Sequence, residues 1–471
     1  MMKPNLKLRK VKALTAKKAA AFFSRSKPHS STSTSISAPK APAGDCLTIS
    51  IGHDMTALKE TIRALESGFY SEASTKVHIT KGKEGPQMDK LYSRLLVAVG
   101  QLPNLQELSI QGDANARVNA PILPVKSLKN LLQEAAQTIC KVHFQNIILL
   151  TRKESDQLIH PEISNFYKSL KKLHCLQEFD ITSCFQIESL NCGIKIQSEL
   201  SIASLLGPLA SIPSLKRVAL SQKRTERLEP SLLRSLFQSC PCLEELLLTG
   251  FSVEESDWDS IVPSILQYAR KLKMLHLEHC CLGARSLDIF LQLLGPESPL
   301  EDFEFMPILS DDMLGLGHTR QISATPQDEV TWKRLLCDAI PTALESNTKL
   351  QRLRIKAKGD VNLFVPIEFQ QPWLDLIMEQ GRNNSLIDFG FLRDDGLCFH
   401  YEDEEMAAKF EHYQKLRQFG IRKLEAFTDT EEEEFDRTTL QVLGEASGDV
   451  SCLFHILQRY PSLCTAAAKI N

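Results

Sequence analysis

The residues of this chain best suited to chemistry are its thiols, imidazoles and charged side chains. Cys240-Pro-Cys242, followed by His276, His279, Cys280 and Cys281, has the ingredients of a zinc site. Zinc needs four thiolate or imidazole ligands converging tetrahedrally. Here Cys280 falls where an apolar residue is expected and His276 where a polar one is, so the set diverges and no metal is expected. A Cys-His nucleophile fares no better. Thirteen Cys and twelve His bring some pairs together by chance, and nothing in the sequence would depress a thiol pKa. No Gly-x-x-x-x-Gly-Lys-Ser/Thr phosphate loop occurs; KGKEGP at Lys81 lacks both the spacing and the hydroxyl. Gly-x-Ser-x-Gly, His-Glu-x-x-His and kinase signatures are also missing. The expectation is therefore a non-enzyme with no catalytic residue and no cofactor.

The elements that must position these residues repeat along the chain. LEELLLTGF from Leu243, LKMLHLEHC from Leu272 and LEDFEFMPI from Leu300 share the pattern L-x-x-L-x-L-x-x-Φ, and LKRVAL from Leu215 begins the same way. Successive starts lie 28, 29 and 28 residues apart. Looser copies are CLTISI from Cys46, STKVHI from Ser74, LQELSI from Leu105, ICKVHF from Ile139, LQEFDITSC from Leu176, LQRLRI from Leu350 and LIDFGFLRD from Leu386. Between them, apolar residues at i, i+3, i+4 and i+7 predict helices over 55–65, 88–99, 128–136, 230–237, 261–269, 287–294, 332–344 and 373–379. Alternation in L-x-L turns every second side chain inward, and one unit cannot bury that face alone, so units must stack. Cys184, Phe251 and Cys280 continue the inward positions, which makes those thiols core residues.

These residues resemble a leucine-rich repeat protein of the ribonuclease-inhibitor-like class. The resemblance implies an α/β solenoid, a horseshoe with a concave parallel sheet and convex helices, over 46–395. Its departures are intervals of 34 to 39 residues around Ile139 and Leu176 and of 50 residues from Leu300 to Leu350. The last holds an expected inserted loop, 306–330, in which Arg320-Gln-Ile-Ser323 and Thr325-Pro326 are compatible with phosphorylation. The resemblance also implies a protein-interaction surface.

Charge divides the rest of the chain. Ten of the 55 basic residues and none of the 58 acidic ones precede Asp45, which leaves the remainder at −13. Residues 1–45 are read as a disordered, basic, Ser-rich head: a solvated tail, a nuclear or nucleic-acid-attracting segment, or a cleaved mitochondrial leader. Nucleic-acid binding, if any, would rest on this head alone. Residues 396–471 predict a helical cap over the last repeat, with helices at 402–419 and 450–460 and an acidic loop at 431–434. KLRQFGIRKL and CLFHILQRYPSLC there are similar to tails of leucine-rich repeat proteins of diatoms and related algae. The odd number of scattered Cys fits reduced thiols in an intracellular protein, cytoplasmic or nuclear, and no apolar run reaches the length of a membrane span.

The residues flanking the apolar positions of L-x-L should form the partner surface. Read across neighbouring repeats they turn from acidic to basic, and the expected partner-binding residues are His276, Glu278, Asp302, Glu304, Arg352, Arg354 and Lys356. The basic triplet leaves unmatched positive charge in this reading, and Leu247, Met274 and Met306 add exposed apolar anchors; the plainer alternative is that opposite charges on neighbouring strands merely pair and solubilise the sheet. The function expected is a monomeric protein-binding scaffold. The alternatives are a substrate-recognition subunit of a ubiquitin ligase or a regulator of a small GTPase.

Overall fold

The computed structural model describes residues 46–50, 55–68, 76–80, 88–112, 122–152, 161–182, 185–190, 193–199, 202–283, 285–308, 334–357, 373, 376, 385–386 and 388–393. The head at 1–45, the tail at 396–471, Cys184 and most of the expected insertion lie outside them. The fifteen strands among the described residues are β1 Cys46–Ser50, β2 Lys76–Thr80, β3 Glu107–Gln111, β4 Ile122–Pro124, β5 Lys141–Gln145, β6 Ile148–Arg152, β7 Glu178–Thr182, β8 Phe185–Leu190, β9 Gly193–Glu199, β10 Arg217–Arg227, β11 Glu245–Ser252, β12 Met274–Cys281, β13 Asp302–Ile308, β14 Arg352–Ala357 and β15 Asp388–Arg393. Eleven of them form one parallel sheet in the order β1-β2-β3-β5-β7-β10-β11-β12-β13-β14-β15. Each of the eleven is one of the strands expected from the repeat pattern.

The helices are α1 Met55–Glu66, α2 Met88–Gly100, α3 Val125–Glu134, α4 Pro161–Leu170, α5 Leu206–Leu209, α6 Pro230–Ser239, α7 Trp258–Tyr268, α8 Leu287–Phe290 and α9 Ile340–Glu345. From α1 to α8 each packs against the next, so the helices form a layer in the same order as the strands. The expected helix at 287–294 is α8 followed by a 3-10 turn, Leu291–Leu294. That at 332–344 is a π-helical stretch, Arg334–Ala339, running into α9.

The core lies between these layers. The second and third apolar positions of each repeat, such as Leu246 and Leu248 or Phe303 and Phe305, are buried together with helix residues such as Leu236, Phe237, Ile261 and Phe290. Fully burying one such side chain contributes about 1.5–3 kcal/mol. Phe251 and Cys280 are buried among them, as their positions in the repeat predict. At the turn into each main-sheet strand from β5 to β14 one carbonyl accepts two amides of the next repeat. Gln106 O accepts from Cys140 and Lys141, and Lys273 O accepts from Glu301 and Asp302 at 2.7 and 2.8 Å. This fixes a common register.

The departures from the period have structural causes. After β3, β5 and β7 the chain makes a further strand before its next helix. β4, β6 and β8 pair parallel, and β9 pairs antiparallel with β8, to form a second, four-stranded sheet. That is where the additional residues around Ile139 and Leu176 go. The 50-residue interval begins later than expected, because Met306, Pro307 and Ile308 belong to β13. Its far end is held by buried Asn347. The Asn347 side-chain amide donates to Leu294 O and Gly295 O at 3.0 and 3.1 Å, and its oxygen accepts from the amides of Lys349 and Leu350 at 2.8 Å.

Candidate docking surface on the open face of the sheet

Strand geometry sends alternate side chains to the face turned away from the helices, here called the open face. The register places Lys76, Glu107, Lys141, Glu178, Arg217, Glu245, Met274, Asp302, Arg352 and Asp388 side by side on ten successive strands, β2 to β15. Charge alternates along this row except at Met274. Lys76 pairs with Glu107 at 3.5 Å, Lys141 pairs with Glu178, and Arg217 with Glu245. Arg352 spans both its neighbours, 2.7 Å from Asp302 and 3.5 Å from Asp388.

The predicted residues converge next to this row. The His276 Nε2–H donates to Asp302 Oδ1 at 3.2 Å, which requires the Nε2 proton because a carboxylate can only accept. Arg354 lies 3.8 Å from Glu304 and 3.2 Å from Asp388, and Lys356 pairs with Glu304. Six of the seven expected residues thus form one network on β12, β13 and β14. Glu278 does not join it. There β12 bulges, with Glu278 and His279 opposite the single residue Met306, and Glu278 accepts the Gly250 amide at 2.5 Å. His279 takes a positive φ of 51° at this bulge.

Two expectations about this surface are corrected. Met306 is buried, 5% exposed, because it lies opposite the bulge, so it offers no anchor; Met274 and Leu247 remain half-buried. The basic triplet also carries no unmatched charge. Asp388, one strand beyond the series read from the sequence, takes both arginines, and Glu304 takes Lys356. Asp388 was available in the sequence as the first polar position of LIDFGF.

Asp302 is the most deeply placed acid of the network, its side chain 9% exposed. Burial pushes its pKa up. The hydrogen bonds and positive charge of His276 and Arg352 together outweigh that and hold the carboxyl below the usual range. The thiols behave oppositely. Burial pushes Cys240 up to about 11 and raises Cys280 well above the ordinary thiol value, so both stay protonated. Cys280 is sealed in the core while His276 stands on the open face, and among the described residues no group of His, Cys, Asp or Glu is arranged to hold a metal ion.

No protein-family model matches the chain, and no curated protein is similar to it. Among the described residues no helix is long and apolar enough to cross a membrane.

Proposed function

We propose that this chain is a leucine-rich repeat solenoid of the ribonuclease-inhibitor-like class. In this reading it acts without catalysis, as an intracellular scaffold whose protein partner docks on the open face across β12 to β15. The observation that carries the reading is the sheet itself. Eleven strands of one sequence pattern, in chain order and common register, set a row of partly exposed charged side chains along one face. The chemistry of that face favours a protein over a small substrate. Its polar groups are spread along a row of ion pairs, whereas a small-molecule site gathers a few polar groups inside a concave, mostly apolar pocket.

The docking region is the charged network of Asp302, Glu304, Arg352, Arg354 and Lys356 with His276 and Asp388. Its more exposed pairs, such as Arg352 with Asp388, add little to stability, about 0–1 kcal/mol each, but strongly bias which charged surfaces can approach. The test is a pull-down comparing the intact chain with Arg352→Glu/Arg354→Glu. Lys126→Glu/Arg234→Glu, on the exposed flanks of α3 and α6, is the control. The reading predicts that the first double mutant loses the partner while its circular dichroism stays native, and that the control keeps it. Undiminished capture by Arg352→Glu/Arg354→Glu would remove this surface.

A further inference from the structure

The alternating row has one defect. From β2 to β15 it reads basic, acidic, basic, acidic, basic, acidic, then Met274, then acidic, basic, acidic. At β12 two acids, Glu245 and Asp302, therefore flank an uncharged side chain. Each of these acids has a cation on its outer side, Arg217 for Glu245 and Arg352 for Asp302, but none lies between them at β12, and Arg352 shows what a cation between two acids does by reaching both Asp302 and Asp388. Strands lie about 4.8 Å apart, so a positive charge above Met274 would stand about 5 Å from each flanking acid position.

The defect is also a depression. A hollow of about 270 Å³ opens at this point, lined by Glu244, Glu245, Lys273, Met274, Glu301 and Asp302 together with Gln351, Arg352 and Asp388. Five acids and two bases line it. Glu301 pairs with Lys273 at 3.3 Å, Asp302 with Arg352 and His276, Asp388 with Arg352 and Arg354, and Glu245 with Arg217, while the Glu244 carboxylate makes no hydrogen bond or ion pair among the described residues. The lining therefore keeps one carboxylate, Glu244, without a cation, beside the Met274 thioether.

We propose that this missing rung receives an arginine side chain of the protein partner. The guanidinium would lie over Met274 and bond Glu245 and Glu244 on one side and the Asp302 edge on the other. Charge complementarity fixes the sign of the occupant. Its shape follows from the lining: a planar, weakly hydrated cation with several donors in one plane suits a thioether flanked by carboxylates on both neighbouring strands better than a compact, strongly hydrated ammonium does. The inference rests on the docking reading above and sharpens it, because it states which side chain a partner must present and where.

The test uses the full chain labelled with [13C-methyl]methionine, with N-acetyl-arginine amide as probe and the uncharged isostere N-acetyl-citrulline amide as control. The Met274 methyl signal is assigned by its loss in Met274→Leu. It is expected to shift saturably with the arginine probe and not with citrulline, and Glu245→Gln should weaken the response about tenfold, the loss of one charge-assisted bond. An unmoved Met274 signal, or an equal response to citrulline, overturns the missing rung; the charge-reversal pull-down then still decides the docking reading by itself. A saturable arginine shift in a chain whose Arg352→Glu/Arg354→Glu variant keeps its partner upholds the rung and removes the docking reading.

Discussion

At the scale of single residues the open face is governed by how each acid is paired. Asp302 accepts from His276 and Arg352 while nearly buried, so its charged form is favoured by the fold. A carboxyl whose folded pKa lies below its unfolded value, about 3.9, adds stability that is complete above that value. The stability is lost as pH falls through the folded pKa. Asp302→Asn should therefore be less stable than the parent chain at neutral pH, and the gap in denaturant midpoint should close progressively below about pH 4. A gap that stays constant down the whole acid range would mean that Asp302 contributes by shape rather than by charge. The same scale shows what single positions disclosed in advance. Cys280 was legible as a core residue because it occupies an apolar position of the repeat, and the structure buries it completely. Met306 was not, because the parity that sorts in from out is interrupted by the bulge at Glu278 and His279. Nothing in the sequence marked a bulge at that position.

At the scale of elements, strands of the main sheet were legible because two signals coincide in them, period-two alternation and a recurrence near 28 residues. The second sheet had only one. ILP and ILLTR are short runs that open apolar, FQIESL alternates only over its first four residues, and none has the recurrence, so they do not declare themselves as strand rather than helix. Helix α4 carries buried Ile163, Phe166, Tyr167 and Leu170 at full helical spacing, yet it falls inside the stretched intervals where the repeat gives no guide to placement. Bulges are the other element-level feature that patterning did not supply. After Thr249 the chain turns at Gly250, whose φ is +79° and whose carbonyl accepts from the Gln222 side-chain amide at 3.1 Å. An added Cβ there would sit 2.2 Å from Gln222 O, a backbone atom that cannot swing aside. Gly250→Ala should cost at least about 1–3 kcal/mol, from the left-handed conformation and the overlap together, measurable as a lowered urea midpoint. A variant as stable as the parent would show that β10 and β11 can re-register at this turn.

At the scale of the whole molecule the row of alternating charges does more than keep the sheet soluble. Parallel strands shifted along one another would set Lys141, Arg217 or Arg352 against the apolar positions of its neighbour, so the row reinforces the register that the inward Leu, Ile and Phe residues dictate. Each ion pair is worth little singly, and the row's value lies in excluding alternatives. It also makes one face of the sheet a patterned electrostatic surface while the helix layer packs the other. The central claim, that a partner reads this surface, is tested most directly by carbodiimide labelling of carboxylates in the full chain, with and without its captured partner, followed by mass spectrometry. Docking on the open face predicts that Glu244, Glu245, Glu304 and Asp388 lose labelling in the complex while helix-side Glu134, Asp259 and Asp288 label as before. Protection of the helix-side acids, with the open-face acids still fully labelled, would contradict it.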